Sequence, residues 1–428
     1  MRFTKGFFFI PGMLLFLIGQ SSLSFARHCG ESRPCQCGDM IVSDYTLSSD
    51  LGPCEKRGLT VRSGVTLDCA EYAIRGSGEN SKDFGVALQT GTSGATIKNC
   101  HISGFLRGIR LRQANKNKIL HNTVHHNGNV STRVGYGIDL AGAQDNIFQD
   151  NYIHHNADEG IHVGTGSHGN TFISNRVEDN SRENFYFLRS DRAVLQRNST
   201  RGGGADSIFI KHSSFLRLEN NIFRDKPVTF RGDAHDNVLI DNELVDTGVR
   251  FQSYEERGVS TRPSKNLISG GKITNAGECL DFSNTSDNLV KNVQLTNCGQ
   301  SVIAQASGSR AENFLIGVPL PTQQVVLDGA AVVHVGRQIS IFVQDSKGTP
   351  VAGAKVQGVD AQKKILFEAE TAADGVTPPQ DVIDYSLQGS TKVERTPILL
   401  QVSSGQKTTS LEMHVTNNST VTVTLPDP

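Results

Sequence analysis

Short stretches in which apolar and polar residues alternate recur along most of the chain, from about residue 58 to residue 316. Each copy has a turn residue, an apolar residue, a variable residue and a second apolar residue, as in Gly137-Ile138-Asp139-Leu140. A period of two residues is typical of β-strands, because successive side chains point to opposite faces of a sheet. The copies are residues 58–61, 85–88, 108–111, 137–140, 160–163, 184–187, 207–210, 227–230, 248–251 and 279–282, with a degraded copy near Ser301. The pattern predicts many short strands and argues against a helical bundle.

The spacing of these copies indicates how the strands stack. Most copies are 20 to 24 residues apart, with longer steps of 27, 29 and 31 residues. This period is too short for a four-stranded propeller blade, and it fits one coil of a parallel β-helix, whose coils lie about 4.8 Å apart. A second, Asn-rich unit follows the copies, and we expect equivalent Asn residues to form a ladder at an inner turn, where Asn tolerates a left-handed backbone. The expected ladder is Asn122, Asn151, Asn175, Asn198, Asn220 and Asn242.

These repeats resemble the right-handed parallel β-helix repeat family. That family includes pectate-lyase-like enzymes, alginate lyases and epimerases, and a periplasmic copper-related accessory protein. The segment CGDMIVSDYTLSSDLGPC, followed by GLTVRSGVTLDC, is similar to the first coil of secreted bacterial members. The resemblance covers roughly residues 37–316. We therefore predict a solenoid of about ten coils at residues 58–320, preceded by an N-terminal cap at 27–57.

The composition changes after residue 320, where the Asn-rich turns stop. Pro319 and Pro321 mark the join, and an alternating run at 338–343 precedes Asp345-Ser346-Lys347-Gly348-Thr349-Pro350, which is typical of a tight turn between strands. Residues 335–428 resemble the carboxypeptidase-regulatory-like, or transthyretin-like, β-sandwich, a module that usually carries no chemistry. The predicted fold class is all-β, a right-handed parallel β-helix followed by a small β-sandwich.

The first residues of the chain predict export. Arg2 and Lys5 precede an apolar run, and Ser24-Phe25-Ala26 places small residues at a cleavage site, so residues 1–26 are typical of a signal peptide. The apolar run is too short for a good membrane span, and no other stretch reaches its length. We therefore expect a periplasmic or extracellular protein with no membrane span in the mature chain.

The composition indicates which class of partner and which compartment the chain suits. The 42 Lys and Arg nearly balance the 43 Asp and Glu, so the chain lacks the basic excess that nucleic acid binding requires. The chain has 43 Gly, no Trp and eight Cys, and an even Cys count suggests disulfides in an oxidising compartment. The Cys residues near the N terminus predict a disulfide-linked cap. Cys69 and Cys100 occupy equivalent points of two repeats, and the sequence leaves open whether they are bonded.

One outward-facing column of residues is the candidate site. The residue between two inward apolar residues points outward, so Asp139, His162 and Tyr186 are expected on three successive coils, roughly 5 Å apart. His and Tyr can exchange protons with a sugar, and Asp139 can orient His162. A cation can neutralise the carboxylate of a uronic acid and so make its C5 proton removable. The residues expected to bind substrate beside the column are Arg110, Arg112, Lys211, Arg231, Tyr136 and Phe209.

The family resemblance implies the same surface, since uronan epimerases and lyases on this fold use the outer strand face. Tyr136-Gly137-Ile138-Asp139 resembles the start of the Tyr-Gly-x-Asp motif of alginate epimerases, but Leu140 and Ala141 replace its Pro-His. Polygalacturonase-like Asp pairs and the Trp-containing signatures of pectate lyases are missing. An ordinary solvated sheet face remains the alternative interpretation of the column.

A second cluster consists of histidines. His125-His126-Asn127 and His154-His155-Asn156 fall at equivalent positions of adjacent coils. Stacked imidazoles suit copper or zinc, but no Cys or Met completes a ligand set. Solvated turn residues are therefore the favoured interpretation, and the sequence assigns no metal ligand. It identifies no cofactor and leaves the use of calcium open.

Two insertions, at residues 128–134 and 253–265, are expected to rise on opposite flanks of the outward column. The leading hypothesis is lyase- or C5-epimerase-like chemistry on a uronic-acid-containing glycan, and the expected partner is a polysaccharide or cell-surface glycan. One alternative is a non-catalytic carbohydrate-binding or cell-surface structural protein. A second alternative is a periplasmic metal (copper) accessory protein.

Overall fold

The structure, a computed structural model, describes residues 27–30, 33–78, 81, 83–321, 324–360 and 364–427. This part of the chain consists of short β-strands joined by turns and contains no α-helix. Accordingly, none of the described segments is a helix that is long and apolar enough to span a membrane. The predicted signal peptide, residues 1–26, lies outside the described residues.

The chain winds into a right-handed parallel β-solenoid of about 13 turns. Each full coil contributes strands to three stacks, and equivalent strands of successive coils pair in parallel. The first stack contains His28–Cys29, Met40–Ile41, Leu59–Val61, Phe84–Leu88, Arg107–Arg112, Tyr136–Ala141, Ile161–Val163, Phe185–Leu188, Ile208–Lys211, Val228–Arg231, Val249–Gln252, Glu278–Ser283 and Gln300–Ile316. The second contains Tyr45–Thr46, Thr66–Asp68, Thr96–Lys98, Lys118–Leu120, Ile147–Gln149, Thr171–Ile173, Val194–Gln196, Arg217–Glu219, Val238–Ile240, Leu267–Ser269 and Leu289–Lys291. The third contains Leu51–Cys54, Ala73–Gly76, His101–Ser103, Thr123–His125, Tyr152–His154, Arg176–Glu178, Ser199–Arg201, Ile222–Arg224, Glu243–Val245, Lys272–Thr274 and Gln294–Thr296.

The solenoid has more turns than the ten expected from the sequence. His28–Cys29 pairs in parallel with Met40–Ile41, which in turn pairs with Leu59–Val61. These first two strands are only two residues long, so they leave no alternating pattern that sequence analysis can detect. The described strands of the predicted cap, residues 27–57, thus stack in parallel with the coils that follow.

The inward-facing residues form a continuous apolar core. The rings of Phe148 and Phe172 stack with centroids 4.9 Å apart, and Phe230, Phe251 and Phe282 stack at 4.9 and 5.2 Å. All five side chains are at most 1% exposed, and burying a Phe side chain stabilises a fold by roughly 1.5–3 kcal/mol. Because the apolar residues fill the interior, the residues between them are held on the outer face.

Buried Asn side chains bond from coil to coil. Asn175 Nδ2 donates to Asn198 Oδ1 and to the Phe148 carbonyl, both at 2.9 Å. Asn221, and not the predicted Asn220, is the next ladder member after Asn198. Asn220 instead has a left-handed backbone with φ of 53°. The residues at the corresponding position before other ladder members, also left-handed, are His121, Asp150, Ser174, Arg197 and Asp241. The turn and the ladder therefore use neighbouring residues, because the ladder amide must point inward while the left-handed residue makes the bend.

All eight Cys form disulfides, in the pairs Cys29–Cys35, Cys37–Cys54, Cys69–Cys100 and Cys279–Cys298. The first two pairs lie in the N-terminal turns, with sequence separations of 6 and 17 residues. The third joins equivalent points of adjacent coils and is fully buried. Disulfides therefore reinforce both ends of the solenoid, where a coil has fewer neighbours.

The C-terminal residues form two further sheets. Strand Val325–Gln344 pairs in parallel with Gln300–Ile316 of the last coil and continues into the first of these sheets. The other strands are Lys355–Val359, Ile365–Glu370, Gln380–Gln388, Thr391–Glu394, Ile398–Ser404, Lys407–Met413 and Ser419–Thr424. Ile341, Phe367 and Leu400 belong to an apolar cluster that the two sheets share. Residue 335, the predicted start of the C-terminal unit, lies within the long strand.

Candidate active site

The strand register aligns the outward column on the first stack. Backbone pairing places Arg110, Asp139, His162, Tyr186 and Phe209 next to one another in that order on five successive coils. The column continues with Thr229, Arg250 and Asp281. The apolar residues on either side of each member are buried, so the column faces away from the core.

The two carboxylate oxygens of Asp139 contact His162 and Arg107. His162 Nδ1 lies 3.0 Å from Asp139 Oδ1, and Arg107 Nε lies 2.8 Å from Asp139 Oδ2. The Asp139 side chain is 8% exposed and that of His162 is 18% exposed. When Nδ1–H donates to the carboxylate, the unprotonated nitrogen of a neutral His162 is Nε2, on the other side of the ring. Sequence analysis did not single out Arg107, which begins the strand one coil before Asp139.

His162 lies within a stack of aromatic rings. The Tyr136 centroid is 4.6 Å from His162 on one side, the Tyr186 centroid is 5.6 Å away on the other, and Phe209 lies 5.5 Å beyond Tyr186. Burial, followed by the nearby charge of Glu159, raises the pKa of both Tyr136 and Tyr186 to about 12. Both phenols therefore keep their protons at neutral pH and can serve as donors.

Three buried carboxyl groups surround Arg182 beside this stack. Arg182 Nη1 lies 3.3 Å from Asp158 Oδ1 and 3.1 Å from Glu159 Oε1, and its Nη2 lies 3.4 Å from Glu183 Oε1. Burial, together with the charge of Asp158, raises the pKa of Glu159 to about 7, although the nearby His162 opposes this rise. Burial also raises the pKa values of Asp158 and Glu183. One guanidinium cannot neutralise three carboxylates, so this group can hold a proton near neutral pH.

Sequence analysis missed these carboxyl groups because it considered only positions within the strands. Glu159, Glu183 and Asp206 each lie directly before the turn residue of the repeat, on three successive coils. Burial raises the pKa of Asp206 as well, and the Thr229 hydroxyl donates a hydrogen bond to it. An acidic residue that recurs at one turn position was the available signal in the sequence.

The basic residues predicted to bind substrate separate into two groups. Arg110 Nε lies 3.9 Å from Asp139 Oδ2, and Arg112 is exposed two residues further along the same strand. Lys211 and Arg231 are two and three coils beyond His162. Of the four predicted basic residues, only Arg110 thus contacts the Asp139–His162 pair, and Lys211 and Arg231 lie further along the column.

The insertion at 253–265 covers Lys211 and Arg231. It forms a hairpin of strands Tyr254–Glu256 and Val259–Thr261. The Tyr254 centroid lies 3.9 Å from Lys211 Nζ and 4.9 Å from Arg231 Cζ, which are cation–π contacts. Arg189 on the solenoid pairs with Glu256 of the hairpin at 3.4 Å.

The insertion at 128–134 adjoins the other end of the aromatic stack. An antiparallel β-bridge joins Asn129 to Val134 within the insertion, and the strand that begins at Tyr136 follows it. One insertion therefore borders the coil of Asp139, and the hairpin borders the coils of Lys211 and Arg231.

The histidine cluster predicted from the sequence lies on the third stack of strands, apart from the outward column. His125 and His154 pair in register, with their ring centroids 5.1 Å apart. Burial and the neighbouring histidines lower the pKa of each to about 4, so both rings are neutral at physiological pH. Over the described ranges, no group of three or more His, Cys, Asp or Glu side chains is arranged to hold a metal ion.

Several solved structures resemble this one at low sequence identity. The catalytic unit of an α-1,3-glucanase from Streptomyces thermodiastaticus aligns at 11% identity with a TM-score of 0.44, covering 69% of this chain and 63% of that chain. An alginate lyase from Paenibacillus aligns at 14% identity with a TM-score of 0.38, covering 69% and 93%. The A-module of an Azotobacter vinelandii mannuronan C-5 epimerase aligns at 16% identity with a TM-score of 0.34, covering 68% and 88%. This chain thus spans less than two thirds of the glucanase.

A search of the curated proteins gave no match. Among family models, the one described as right handed beta helix region matches residues 58–181 and 84–244. These ranges contain Asp139, His162, Tyr186 and the carboxyl groups around Arg182. The part of the chain that carries the candidate site is thus similar in sequence to right-handed β-helix proteins.

Proposed function

We propose that the protein is an exported enzyme that cleaves or epimerises a uronic-acid-containing polysaccharide on the outer face of its first strand stack. The observation that carries this proposal is the contact between Asp139 Oδ1 and His162 Nδ1 at 3.0 Å, within a ring stack that supplies two protonated phenols. Four disulfides support export.

His162 is the base in the proposed reaction. Asp139 accepts the Nδ1 proton and so leaves the Nε2 lone pair free to remove the proton from C5 of a uronic acid. Arg107 Nε forms an ion pair with the second oxygen of Asp139 at 2.8 Å. The arrangement orients the imidazole in the same way that a carboxylate orients histidine in hydrolytic triads.

Tyr186 is the acid in the proposed reaction, because its phenol is protonated at neutral pH and its ring stacks beside His162 at 5.6 Å. In elimination, the C5–H electrons form the C4–C5 double bond, the C4–O bond breaks, and the leaving oxygen takes a proton from Tyr186. In epimerisation, Tyr186 instead returns a proton to C5 from the opposite face. Arg110 supplies the positive charge that stabilises the carboxylate of the reacting sugar.

The further basic residues suit the remaining sugars of an acidic chain. Lys211 and Arg231 lie about 10 and 14 Å from His162 along the solenoid, given two and three coils of about 4.8 Å each. Tyr254 covers both cations and offers a ring on which a sugar can stack. We propose no catalytic role for the C-terminal sheets, which we interpret as a carboxypeptidase-regulatory-like sandwich module.

Hydrolysis is the second candidate function, and the carboxyl groups around Arg182 favour it. A carboxyl group with a pKa of about 7, such as Glu159, can protonate a glycosidic oxygen, and Asp158 or Glu183 can act as the partner carboxylate. The products separate the two candidates, because elimination gives an unsaturated sugar and hydrolysis does not.

The test is incubation of the tag-free protein with a panel of uronans and neutral glucans. Ultraviolet absorbance follows the unsaturated product, NMR follows the 5-epimer, and reducing-end release follows all cleavage. Replacing His162 by Ala or Tyr186 by Phe should lower elimination or epimerisation at least about 100-fold, whereas the exposed His121→Ala control should not.

Each result assigns a function. Full activity of His162→Ala or Tyr186→Phe contradicts the proposed roles. Reducing ends without an unsaturated product, abolished by Glu159→Gln, indicate hydrolysis. Binding of a glycan with no turnover indicates the non-catalytic carbohydrate-binding alternative.

A further inference from the structure

Four histidines on the third strand stack form a regular two-by-two array. His125 and His154 end equivalent strands of adjacent coils, and His126 and His155 are the next residues in the turns that follow. His125 stacks on His154 with an interplanar angle of 4°, and His126 stacks on His155 at 5.3 Å with an angle of 5°. Within each coil the two rings are nearly perpendicular, at 90° and 89°.

The same nitrogen faces its partner in both coils. His125 Nδ1 lies 2.8 Å from His126 Nδ1, and His154 Nδ1 lies 2.8 Å from His155 Nδ1. The preceding coil has Ser103-Gly104 at these positions and the following coil has Glu178-Asp179, so coil packing does not require histidine here. Each contact is a hydrogen bond between one protonated and one unprotonated Nδ1, and moving that proton to Nε2 of the same ring leaves both Nδ1 lone pairs available to an ion.

We propose that each histidine pair binds one divalent transition-metal ion, with copper(II) preferred. At the metal–nitrogen distance of 2.0–2.1 Å typical of imidazole, two nitrogens 2.8 Å apart subtend about 85° at the ion. That angle matches neighbouring ligands of a square-planar or tetragonal site, which copper(II) and nickel(II) favour. A tetrahedral zinc site needs the nitrogens about 3.3 Å apart.

Water can supply the remaining ligands of an ion at each pair. The side chains of His126 and His155 are exposed, so solvent reaches both pairs. A cavity of about 320 Å³ beside His125 is lined by Asp50, Glu71, Arg75 and His101, among others, and its two carboxylates pair with Arg75 and His101. Below His154 in the same register lies Glu178, a buried carboxylate that pairs with Arg176 at 2.7 Å. Two nitrogens and water make an open site, consistent with the lack of a third converging protein ligand in the described part of the chain.

The array is independent of the proposed sugar chemistry. It lies on the third stack, whereas Asp139, His162 and Tyr186 lie on the first. At these positions the sequence alone favours solvated turn residues. What the sequence cannot give is the 2.8 Å approach of the Nδ1 atoms.

The experiment uses full-length, tag-free protein stripped of metal with a chelator and dialysed against copper(II). The variants are His126→Asn, His155→Asn and their combination, because Asn tolerates the left-handed backbone at both positions. The matched control is His121→Asn, an exposed histidine with φ of 54° on the same coil as His126. Circular dichroism checks that each variant is folded.

Wild type and His121→Asn should each bind two more copper ions than the double variant, and each single variant should lose one ion, with at least about a tenfold loss of affinity at that pair. Electron paramagnetic resonance should show two coordinating nitrogens for each of these ions. Equal copper binding by wild type and the double variant, or the same loss in His121→Asn, overturns the proposal. Tighter binding of zinc(II) than of copper(II) overturns the tetragonal geometry.

Discussion

Replacing Asn175 with Ala tests how much the Asn ladder contributes to the stability of the solenoid. The Asn175 side chain makes four buried hydrogen bonds: Nδ2 donates to the Phe148 carbonyl and to Asn198 Oδ1, and Oδ1 accepts from the backbone N and Nδ2 of Asn151. The substitution leaves the Phe148 carbonyl and the Asn151 N–H without these partners. At about 1 kcal/mol for each bond, the expected loss is about 4 kcal/mol.

The measurement is urea unfolding followed by far-ultraviolet circular dichroism, because the chain contains no Trp to report by fluorescence. The matched control is Asn115→Ala, which removes an exposed side chain that accepts one hydrogen bond, from the backbone of Gln144. The control should cost about 1 kcal/mol or less. If the two variants unfold at the same urea concentration, the ladder contributes no more than an ordinary turn, and the reasoning fails.

Two further changes probe the carboxyl cluster and the first coils. The folded-state pKa of Glu159, about 7, exceeds its usual 4.5, so the folded state binds the extra proton and loses stability as pH rises through about 7. The melting temperature of Glu159→Gln, measured from mildly acidic to mildly alkaline pH, should therefore fall less steeply than that of wild type. Replacing Cys69 and Cys100 together by Ala opens a crosslink with a sequence separation of 31 residues and should lower the free energy of unfolding by about 3–4 kcal/mol. Unchanged chemical unfolding of that variant contradicts the expectation.

The alternating pattern predicts the order of the outward column, because a period of two residues determines which side chains face outward. It predicts the Asn ladder with one error, since Asn220 and Asn221 are adjacent and only the backbone shows which of them points inward. The carboxyl groups of Glu159 and Glu183 escape the pattern because they lie in turns, where no periodicity applies. Their raised pKa values depend on burial, and burial of a turn is decided by neighbouring coils.

The alternating pattern within a single strand also does not predict the side-chain contacts at the site. Arg107 reaches Asp139 from the preceding coil, so the pairing depends on the register between coils and on the direction of both side chains. Tyr254 lies in an insertion. The sequence shows that this insertion is charged, but it does not show that the insertion folds over Lys211. Cysteine pairing was likewise left open, because an even number of cysteines permits many connectivities.

The long strand Val325–Gln344 also determines where the solenoid stops. On one side it continues the parallel ladder with Gln300–Ile316, but on the other its central residues pair antiparallel with Gln380–Gln388. Parallel and antiparallel ladders space their hydrogen bonds differently, so a coil from a second molecule finds no matching edge along this part of the strand. An open parallel edge is a template for end-to-end polymerisation. The reversal of strand direction thus protects the protein against fibre growth along this part of the strand.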